Sequence, residues 1–441
     1  MTRHTLAVAV LGVAALAGCA GPHPRAAAHL PSPAKAHVLE FRNGRWFDGF
    51  RFSERAMFSV DGRLSTSRPA EVESVVDLAG GYVVPPFAEG HNHWLEPRAI
   101  AAYNAMYLRD GVFYLKDQAN ASVVRGQMDA ALNRPTTVDF ISANEGWTGP
   151  GGHPMQIALQ FLKFGSFPAG WTEADLEGNV VNEVDSVAAI DARWPRFLAG
   201  KPDFAKVFLL YSEEFEERRA DPKSRFQRGI DPALVPEVVR RAHTAGLRVS
   251  AHVYTAADFH NALVGGVDDV AHLPGTGFDA RLGPSAFQIS EADTRLAKER
   301  GVTVMTTLSW LGEQMESDAA LGQTILDEVI RPNVTMLRRF GVPLLLGSDQ
   351  FRQSPAGEAM LLWKLRLFSS GELLKMWSET TPRFVFPERR IGRLAEGYEA
   401  SFLVLSGDPL ADFAATAKIS MRVKQGIVLP PPEAVAFPEL P

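Results

Sequence analysis

Apolar runs alternate with segments of helical period along the middle of the chain. There are eight such runs: 82–87, 111–116, 139–144, 204–210, 248–253, 268–273, 302–308 and 343–347. Segments with helical spacing follow most of them, for example 232–245, 256–264, 291–300 and 321–340. Strands that alternate with helices indicate a parallel sheet, and eight repeats predict the α/β class with a (β/α)8 TIM-like barrel. A doubly wound sheet is the alternative, but no glycine-rich phosphate turn follows the first run.

The two ends of the chain share a different pattern, in which short runs are separated by turns. Asn43-Gly44 and Asp61-Gly62 mark hairpins near the start, and strand-like runs return at 401–405 and 421–428. These ends predict one small β-sandwich domain, built from residues 37–80 and 390–432, beside a barrel domain at 81–389. A helical insertion is expected at 172–198.

The composition is that of a globular, weakly acidic protein. Of 441 residues, 46% are hydrophobic, and the formal net charge is −6 at pH 7. This balance argues against a nucleic-acid-binding surface. The chain has one cysteine, so it forms no intrachain disulfide and no cysteine-rich zinc module. The oligomeric state is not determined by these features.

The single cysteine, Cys19, closes an apolar segment near residue 1. A short basic stretch precedes apolar residues 5–18, which are too few to span a bilayer and fit a signal peptide at 1–18. The sequence Leu-Ala-Gly-Cys at 16–19 resembles the lipobox of bacterial lipoproteins, in which the cysteine is lipidated. The resemblance implies a lipidated tether at 19–36 and an exported, membrane-anchored protein on the periplasmic side, and Ala20 favours the outer membrane. The alternative is an ordinary signal peptide with an incidental cysteine.

Residues able to bind metal fall at the ends of the predicted barrel strands, where barrel enzymes carry their chemistry. His91 and His93 are two residues apart, so on a strand both imidazoles point to one side. The other candidates come one from each of four further strands: Lys206, His252 and His272 within their runs, and Asp349 just after the last run. Taken singly, His252 fits a core histidine and Asp349 a loop cap, but lysine is rarely buried without a partner. The whole set predicts a metal centre.

Several stretches of the chain match those of a known family. They are Gly81-Tyr82-Val83-Val84-Pro85 before His91-Asn92-His93, the stretch 148–153 that ends in His153, and the stretches 391–394 and 407–410. With them the chain resembles the amidohydrolase superfamily, metal-dependent hydrolases with a (β/α)8 barrel and a flanking β-sandwich. The similarity extends from residue 38 to residue 412. The lysine on strand four is similar to that of imidazolonepropionase-like and prolidase-like members.

The resemblance implies a centre of two divalent metal ions, with zinc the expected metal. Lys206 would react with CO2 to form a carbamate that bridges both ions. The implied ligands of one ion are His91, His93 and Asp349, and those of the other are His252 and His272. A hydroxide that bridges the ions would then attack the carbonyl carbon of an amide or a cyclic amide.

Three further roles follow from the same resemblance. Asp349 would accept the proton of the hydroxide and pass it to the leaving nitrogen. His153 and Tyr254 would face the substrate, with His153 polarising the carbonyl oxygen. The implied activity is the hydrolysis of a carbon–nitrogen bond in a small molecule.

Three positions depart from the family pattern, and none of them is an implied metal ligand. Glu89 replaces the usual aspartate two residues before the histidine pair, Pro86 replaces a glycine, and Ser401 replaces an aspartate.

Two other functions compete with the two-metal hydrolase. One is a mononuclear metal-dependent deaminase, but such enzymes carry a glutamate shortly after the strand-five histidine, where this chain has Val253-Tyr254-Thr255. The other is a non-catalytic lipoprotein that binds a ligand on the same barrel, and such a protein would be expected to have lost a metal ligand. The substrate stays open. Lys223, Arg225 and Arg228 either bind a substrate carboxylate or are simply solvated.

Overall fold

The computed structural model describes residues 37–93 and 95–440. The predicted signal peptide, the lipidated Cys19 and the tether at 19–36 lie outside the described residues. All described residues belong to one compact unit. Among them, no helix is long and apolar enough to cross a membrane.

The strands in the described part of the chain occupy both its ends and its middle. Their bounds are β1 Val38–Phe47, β2 Phe52–Val60, β3 Arg63–Ser65, β4 Ser74–Asp77, β5 Tyr82–Val84, β6 Phe87–Asn92, β7 Val112–Asp117, β8 Asp139–Ser142, β9 Gly146–Thr148, β10 Val181–Glu183, β11 Phe204–Phe208, β12 Arg248–His252, β13 Asp269–Val270, β14 Pro274–Gly277, β15 Thr303–Met305, β16 Leu344–Leu345, β17 Phe402–Leu405, β18 Ile419–Lys424 and β19 Ile427–Leu429.

The helices lie between the strands of the middle region. Their bounds are α1 Ile100–Arg109, α2 Arg125–Ala131, α3 Met155–Lys163, α4 Glu173–Leu176, α5 Val187–Ala199, α6 Phe215–Ala220, α7 Val235–Thr244, α8 Ala256–Gly265, α9 Glu291–Arg300, α10 Ser309–Ser317, α11 Ala319–Ile325, α12 Arg331–Phe340, α13 Ala356–Lys364, α14 Ser370–Lys375 and α15 Thr381–Val385. The predicted helix at 291–300 is confirmed at both ends. It begins after Ser290, whose hydroxyl accepts from the amide of Asp293, and it stops at Gly301, whose φ of 69° suits glycine.

The first sheet joins the two ends of the chain. Its order is β19-β18-β17-β5-β1-β2-β3, with β4 paired to β1. The central strand β5 runs parallel to β1 and antiparallel to β17, where Val84 lies opposite Leu403. The two ends therefore form one sheet together. The sandwich architecture of this region and its bounds at 37–80 and 390–432 stay predictions.

The middle of the chain forms parallel sheets, which confirms the α/β class. One sheet has the order β6-β7-β8 and the other β10-β9-β11-β12-β13-β15-β16. Apart from β10, the strands lie in chain order, as they do in a TIM-like barrel. Backbone hydrogen bonds also connect the regions of β6 and β16: Gly90 N donates to Leu346 O at 3.0 Å, and Asp349 N donates to His91 O at 2.8 Å.

The predicted first barrel strand at 82–87 is divided in the structure. Proline lacks the N–H that a ladder requires, so pairing stops at Pro85-Pro86. The residues before the prolines, β5, belong to the sheet of the chain ends, and the first strand of the parallel sheets, β6, begins at Phe87. Phe87 anchors this strand by stacking on Trp377 with the ring centroids 3.8 Å apart.

The insertion predicted to be helical at 172–198 contains a strand as well as helices. Between α4 and α5 lies β10, which pairs in parallel with β9, so that Val181 lies opposite Gly146. The tertiary pairing with β9 therefore determines the conformation of these few residues more strongly than local helical propensity.

Candidate metal centre and active site

The first histidine pair lies at the carboxyl end of β6, a strand that is buried along its whole length. His91 is its penultimate residue and His93 follows its end, so both side chains reach the same region. Their Nε2 atoms lie 2.9 Å apart. The other ring nitrogen of His91, Nδ1, lies 2.9 Å from Ala271 O, which fixes the ring and leaves Nε2 facing the site.

Asp349 lies opposite this pair, beyond the end of β16. Its Oδ1 is 3.5 Å from His91 Nε2 and 3.4 Å from His93 Nε2. Its Oδ2 is 3.9 Å from His272 Nδ1. Its φ of 53° turns the chain sharply, and its side chain is 36% exposed, so solvent reaches the carboxylate. One ligand atom from each of His91, His272 and Asp349 lies within 4.8 Å of the others, close enough for one metal ion.

His252 and His272 supply the second pair of imidazoles. Their ring centroids are 4.4 Å apart, and those of His272 and His91 are 4.5 Å apart. His272 Nδ1 is 2.9 Å from Thr307 Oγ1. The Nε2 atoms of His252 and His272 are buried and have no hydrogen-bond partner, an arrangement that is costly unless a metal completes it.

The imidazoles are neutral at physiological pH in this surrounding. Burial, together with nearby positive groups, holds the pKa of His91, His252 and His272 well below the usual 6.5. A metal ligand must be deprotonated, so these rings can bind a cation without first losing a proton.

Lys206 occupies the middle of β11 and is fully buried. Its Nζ has no hydrogen-bond partner and lies 5.4 Å from the centre of the Phe208 ring. Burial lowers the pKa of Lys206 to about 7; the carboxylate of Asp269 opposes this shift and the ammonium of Lys116 adds to it. Asp269 is already paired with Lys116 Nζ at 2.9 Å, so it does not neutralise Lys206. A buried amine without a partner fits a group that is converted to an anion between two metal ions.

His153 and Tyr254 lie on the side of His252. The ring centroid of His252 is 4.6 Å from that of His153 and 4.7 Å from that of Tyr254. Gln156 Nε2 lies 2.9 Å from His153 Nδ1 and fixes that ring. Burial lowers the pKa of His153 to about 3 and raises the pKa of the Tyr254 hydroxyl, so both groups are neutral at pH 7. A neutral hydroxyl donates a hydrogen bond, as a group facing a carbonyl oxygen must.

The structure therefore brings the residues of the predicted site together near the carboxyl ends of the parallel strands, with Lys206 reaching the site from the middle of β11. They are His91, His93, His153, Lys206, His252, Tyr254, His272 and Asp349. Their individual roles as ligands or catalytic groups stay predictions.

Sequence analysis missed the residue that positions Tyr254. Asp258 is buried and its carboxylate accepts hydrogen bonds from the backbone amides of Tyr211, Ser212 and Tyr254 at 2.8–3.0 Å. It also forms a capping box with Thr255 at the start of α8. The spacing of Thr255 and Asp258 is the sequence signal that could have identified it.

Two of the basic residues proposed to meet a substrate carboxylate are bound within the chain. Arg225 pairs with Glu173. Arg228 donates from Nε to Pro150 O at 3.0 Å and from Nη1 to Arg219 O at 2.9 Å. Both guanidinium groups thus fasten neighbouring loops. Lys223 is exposed.

Part of the chain, including the stretch that carries His252, His272 and Asp349, matches the model of a known family. The model of the amidohydrolase family matches residues 213–429. No curated protein matches the chain. Residues 213–429 are therefore an amidohydrolase-family region, which supports a hydrolase that acts on carbon–nitrogen bonds.

Solved structures share the fold at low sequence identity. The ochratoxinase of A. niger is 18% identical with a TM-score of 0.71, over 89% of this chain and 96% of that chain. A prolidase complexed with N-methylphosphonate-L-proline is 18% identical with a TM-score of 0.67, over 89% of this chain and 99% of that chain. A Xaa-Pro dipeptidase with bound methionine is 16% identical with a TM-score of 0.65, over 89% of this chain and 99% of that chain. The fold is thus that of prolidase-like amidohydrolases.

Proposed function

We propose that this protein is a metal-dependent amidohydrolase that cleaves an amide or cyclic amide bond of a small molecule at a centre of two divalent metal ions. The observation that carries the proposal is Lys206, a fully buried amine without a partner beside four imidazoles and one carboxylate. We also infer that the parallel sheets close into one (β/α)8 barrel, since hydrogen bonds already connect the regions of β6 and β16.

The residues present fit such a centre. His91, His93 and Asp349 would hold one ion, His252 and His272 the other, and Lys206 as a carbamate would bridge them. Zinc suits this mixed set of nitrogen and oxygen ligands. When bound, the metals would activate a water molecule at neutral pH and polarise the substrate carbonyl.

Asp349 is suited to moving the proton. Its carboxylate lies between the histidine pair and solvent, so it can accept a proton from water and deliver it to a leaving nitrogen. In the absence of metal, burial raises the pKa of Asp349 to about 7, and Lys206 opposes that shift. Because the carboxylate is partly exposed, burial raises its pKa less than it would raise that of a fully enclosed group. A nearby metal cation would lower the pKa of Asp349, so that the carboxylate is deprotonated and acts as a base at neutral pH.

His153 and Tyr254 are suited to holding the substrate carbonyl. Both rings lie beside His252 and are neutral, so each can present an N–H or O–H to a carbonyl oxygen. Preorganised donors of this kind stabilise the charge that develops on the oxygen during hydrolysis.

Two alternatives remain as outcomes of the test. One is a mononuclear deaminase, which would carry a glutamate shortly after the strand-five histidine, where this chain has Tyr254, and which would not need a bridging Lys206. A non-catalytic ligand-binding lipoprotein would bind small molecules without turnover.

We propose further that the protein is exported and anchored by lipid on Cys19, with the small-molecule hydrolase facing the periplasm. The support is the sequence Leu-Ala-Gly-Cys at the end of the apolar segment.

The proposed function is tested by screening zinc-loaded protein against N-acyl amino acids, Xaa-Pro dipeptides and lactones. A prolidase and a Xaa-Pro dipeptidase share the fold, which supports including Xaa-Pro dipeptides. Hydrolysis of an amide is expected, with loss of activity in Asp349→Asn, an isostere that cannot accept a proton. Release of ammonia from an aminated ring would support the deaminase, and tight binding without turnover would support the binding protein.

A further inference from the structure

The buried carboxylate of Glu96, three residues after His93, accepts hydrogen bonds from side chains in three different segments of the chain. Glu96 is completely buried. Its Oε1 accepts from Arg98 Nη2 at 2.9 Å and from Ser166 Oγ at 3.0 Å. Its Oε2 accepts from Arg352 Nε at 2.9 Å and Nη2 at 2.7 Å. Glu96 therefore connects the segments of Arg98 and Ser166 through Oε1 and the segment of Arg352 through Oε2.

The Glu96–Arg352 pair joins the two loops that carry one of the proposed metal sites. Glu96 lies three residues after His93, and Arg352 lies three residues after Asp349. Asp349 and Arg352 both have positive φ angles, 53° and 56°, so the loop turns twice through a conformation that is unfavourable for residues other than glycine. Such a loop keeps its shape only when contacts outside it hold it in place.

A segment that follows β19 completes the arrangement. Within residues 430–440, Pro438 O accepts from Arg352 Nη1 at 2.7 Å. The ring of Phe437 lies 5.2 Å from the Arg352 guanidinium carbon and packs edge-on against Tyr103 of α1, 4.8 Å between centroids. Arg352 is thus held on one side by a carboxylate and on the other by a carbonyl and an aromatic ring.

We propose that Arg352 is a positioning residue for Asp349, and that the segment 430–440 is a working part of the active site because it holds Arg352 against Glu96. We name Glu96, Arg352 and Phe437 the Arg352 brace. The inference rests on the proposed function, in which Asp349 binds metal and moves a proton. The brace acts by fixing where the Asp349 carboxylate lies relative to His91 and His93.

We expect that Arg352 can be replaced without unfolding the protein. Without the Arg352 guanidinium, Glu96 keeps Arg98 and Ser166 as partners of Oε1, so its charge stays paired although Oε2 loses the two hydrogen bonds from Arg352. The base of the loop also keeps the hydrogen bond from Asp349 N to His91 O. The expected result is a folded enzyme whose Asp349 loop has lost the support of Arg352 but keeps the packing of Phe351 against Phe161.

Arg98→Gln provides the matched control. It removes an arginine from the same carboxylate, but the hydrogen bonds of Arg98 go to Glu96 Oε1 and Phe164 O, so it approaches the loop of Asp349 through Phe164, whose ring stacks on Phe351 at 6.3 Å. The test variants are Arg352→Gln and Phe437→Ala, and Arg352→Lys is the conservative one. A lysine keeps the positive charge beside Glu96 but offers one donor nitrogen in place of the three of the guanidinium group.

Two measurements are compared across these variants of the full chain. Hydrogen exchange of the amides in 349–353 should become about ten-fold faster or more in Arg352→Gln and Phe437→Ala. The kcat for the substrate found in the screen should fall roughly 10- to 100-fold with little change in KM. The exchange rates and kcat of Arg352→Lys should lie between those of wild type and those of Arg352→Gln. Those of Arg98→Gln should stay within about three-fold of wild type.

Two results would overturn the inference. One is wild-type exchange and wild-type kcat in Arg352→Gln. The other is an equal loss in Arg98→Gln, which would make Glu96 a general structural anchor instead. If the wild type hydrolyses nothing in the screen, the proposed function fails, and the exchange measurement still decides whether the brace holds the loop.

Discussion

Glu89 Oε2 accepts a hydrogen bond from Ser348 Oγ at 2.5 Å, which connects the strand of the histidine pair to the residue before Asp349. Glu89 Oε1 accepts two more, from the amides of His91 and Ser348, both at 2.9 Å. Burial raises the pKa of Glu89 to about 8 even though these hydrogen bonds oppose the shift. A residue that departs from the family pattern thus connects both sides of the site.

The geometry predicts that Glu89→Gln is tolerated and Glu89→Ala is not. The glutamine Oε1 can accept from both amides, and its Nε2 can donate to Ser348 Oγ. Alanine leaves two buried N–H groups without acceptors, which should lower the free energy of unfolding by about 2 kcal/mol or more. Chemical denaturation and activity of both variants check this. Equal damage in the two would show that the charge of Glu89 matters and not its acceptor positions.

Purified protein reconstituted with zinc should contain about two metal ions per chain. Replacing His91 or His93 with alanine should remove part of the metal and reduce activity by roughly 100-fold or more. Metal analysis by mass spectrometry measures the first, and initial rates measure the second. Only trace metal in carefully reconstituted wild type would refute the centre. His260→Ala is a control, because His260 is exposed and pairs with Asp293 away from the site.

Metal-free protein should gain stability from Lys206→Met, roughly 1 to 2 kcal/mol near neutral pH, because the change removes a buried amine without a partner. The pKa of Lys206 is about 7 when folded, below its usual 10.5. The unfolded state therefore binds more protons between these values, and wild-type stability rises with pH across that window. The advantage of methionine should be largest at pH 7 and below and should shrink toward pH 10. A gain that does not change with pH would contradict the shifted pKa.

Lipidation of Cys19 should send the protein to the membrane fraction of a bacterial host. The Cys19→Ala variant should not follow it there, because no other acyl acceptor is proposed. Fractionation with antibody detection measures both. Equal partition of the two proteins would refute the lipid anchor. Soluble Cys19→Ala with full activity would show that the anchor serves location only.

Much of the fold, and the set of proposed metal ligands, could be predicted from the sequence because both depend on local patterns. Apolar runs of strand length predicted the strands of the parallel sheets, and the two-residue spacing of His91 and His93 predicted that both side chains reach one region. The single strand predicted at 82–87 was wrong, because its course depends on which sheet the residues before Pro85 join. That choice is tertiary and has no local signature.

The contacts of Glu89 and Glu96 that support the site could not be predicted from the sequence for the same reason. Glu89 pairs with Ser348, and Glu96 with Arg352, across nearly the whole barrel region. No spacing along the chain indicates that such residues meet. Asp258 is the exception, because its capping box with Thr255 is a local pattern.

The most direct test of the two-metal hydrolase is the Lys206→Ala variant, assayed for metal content and hydrolysis with and without short carboxylic acids. A bridging carbamate predicts that the variant loses its paired metals and its activity, and that an acid occupying the vacant bridge partly restores both. Native mass spectrometry of wild type should show two metals together with the mass of one CO2. Full activity and full metal content in Lys206→Ala would contradict the two-metal mechanism and would favour the one-metal deaminase.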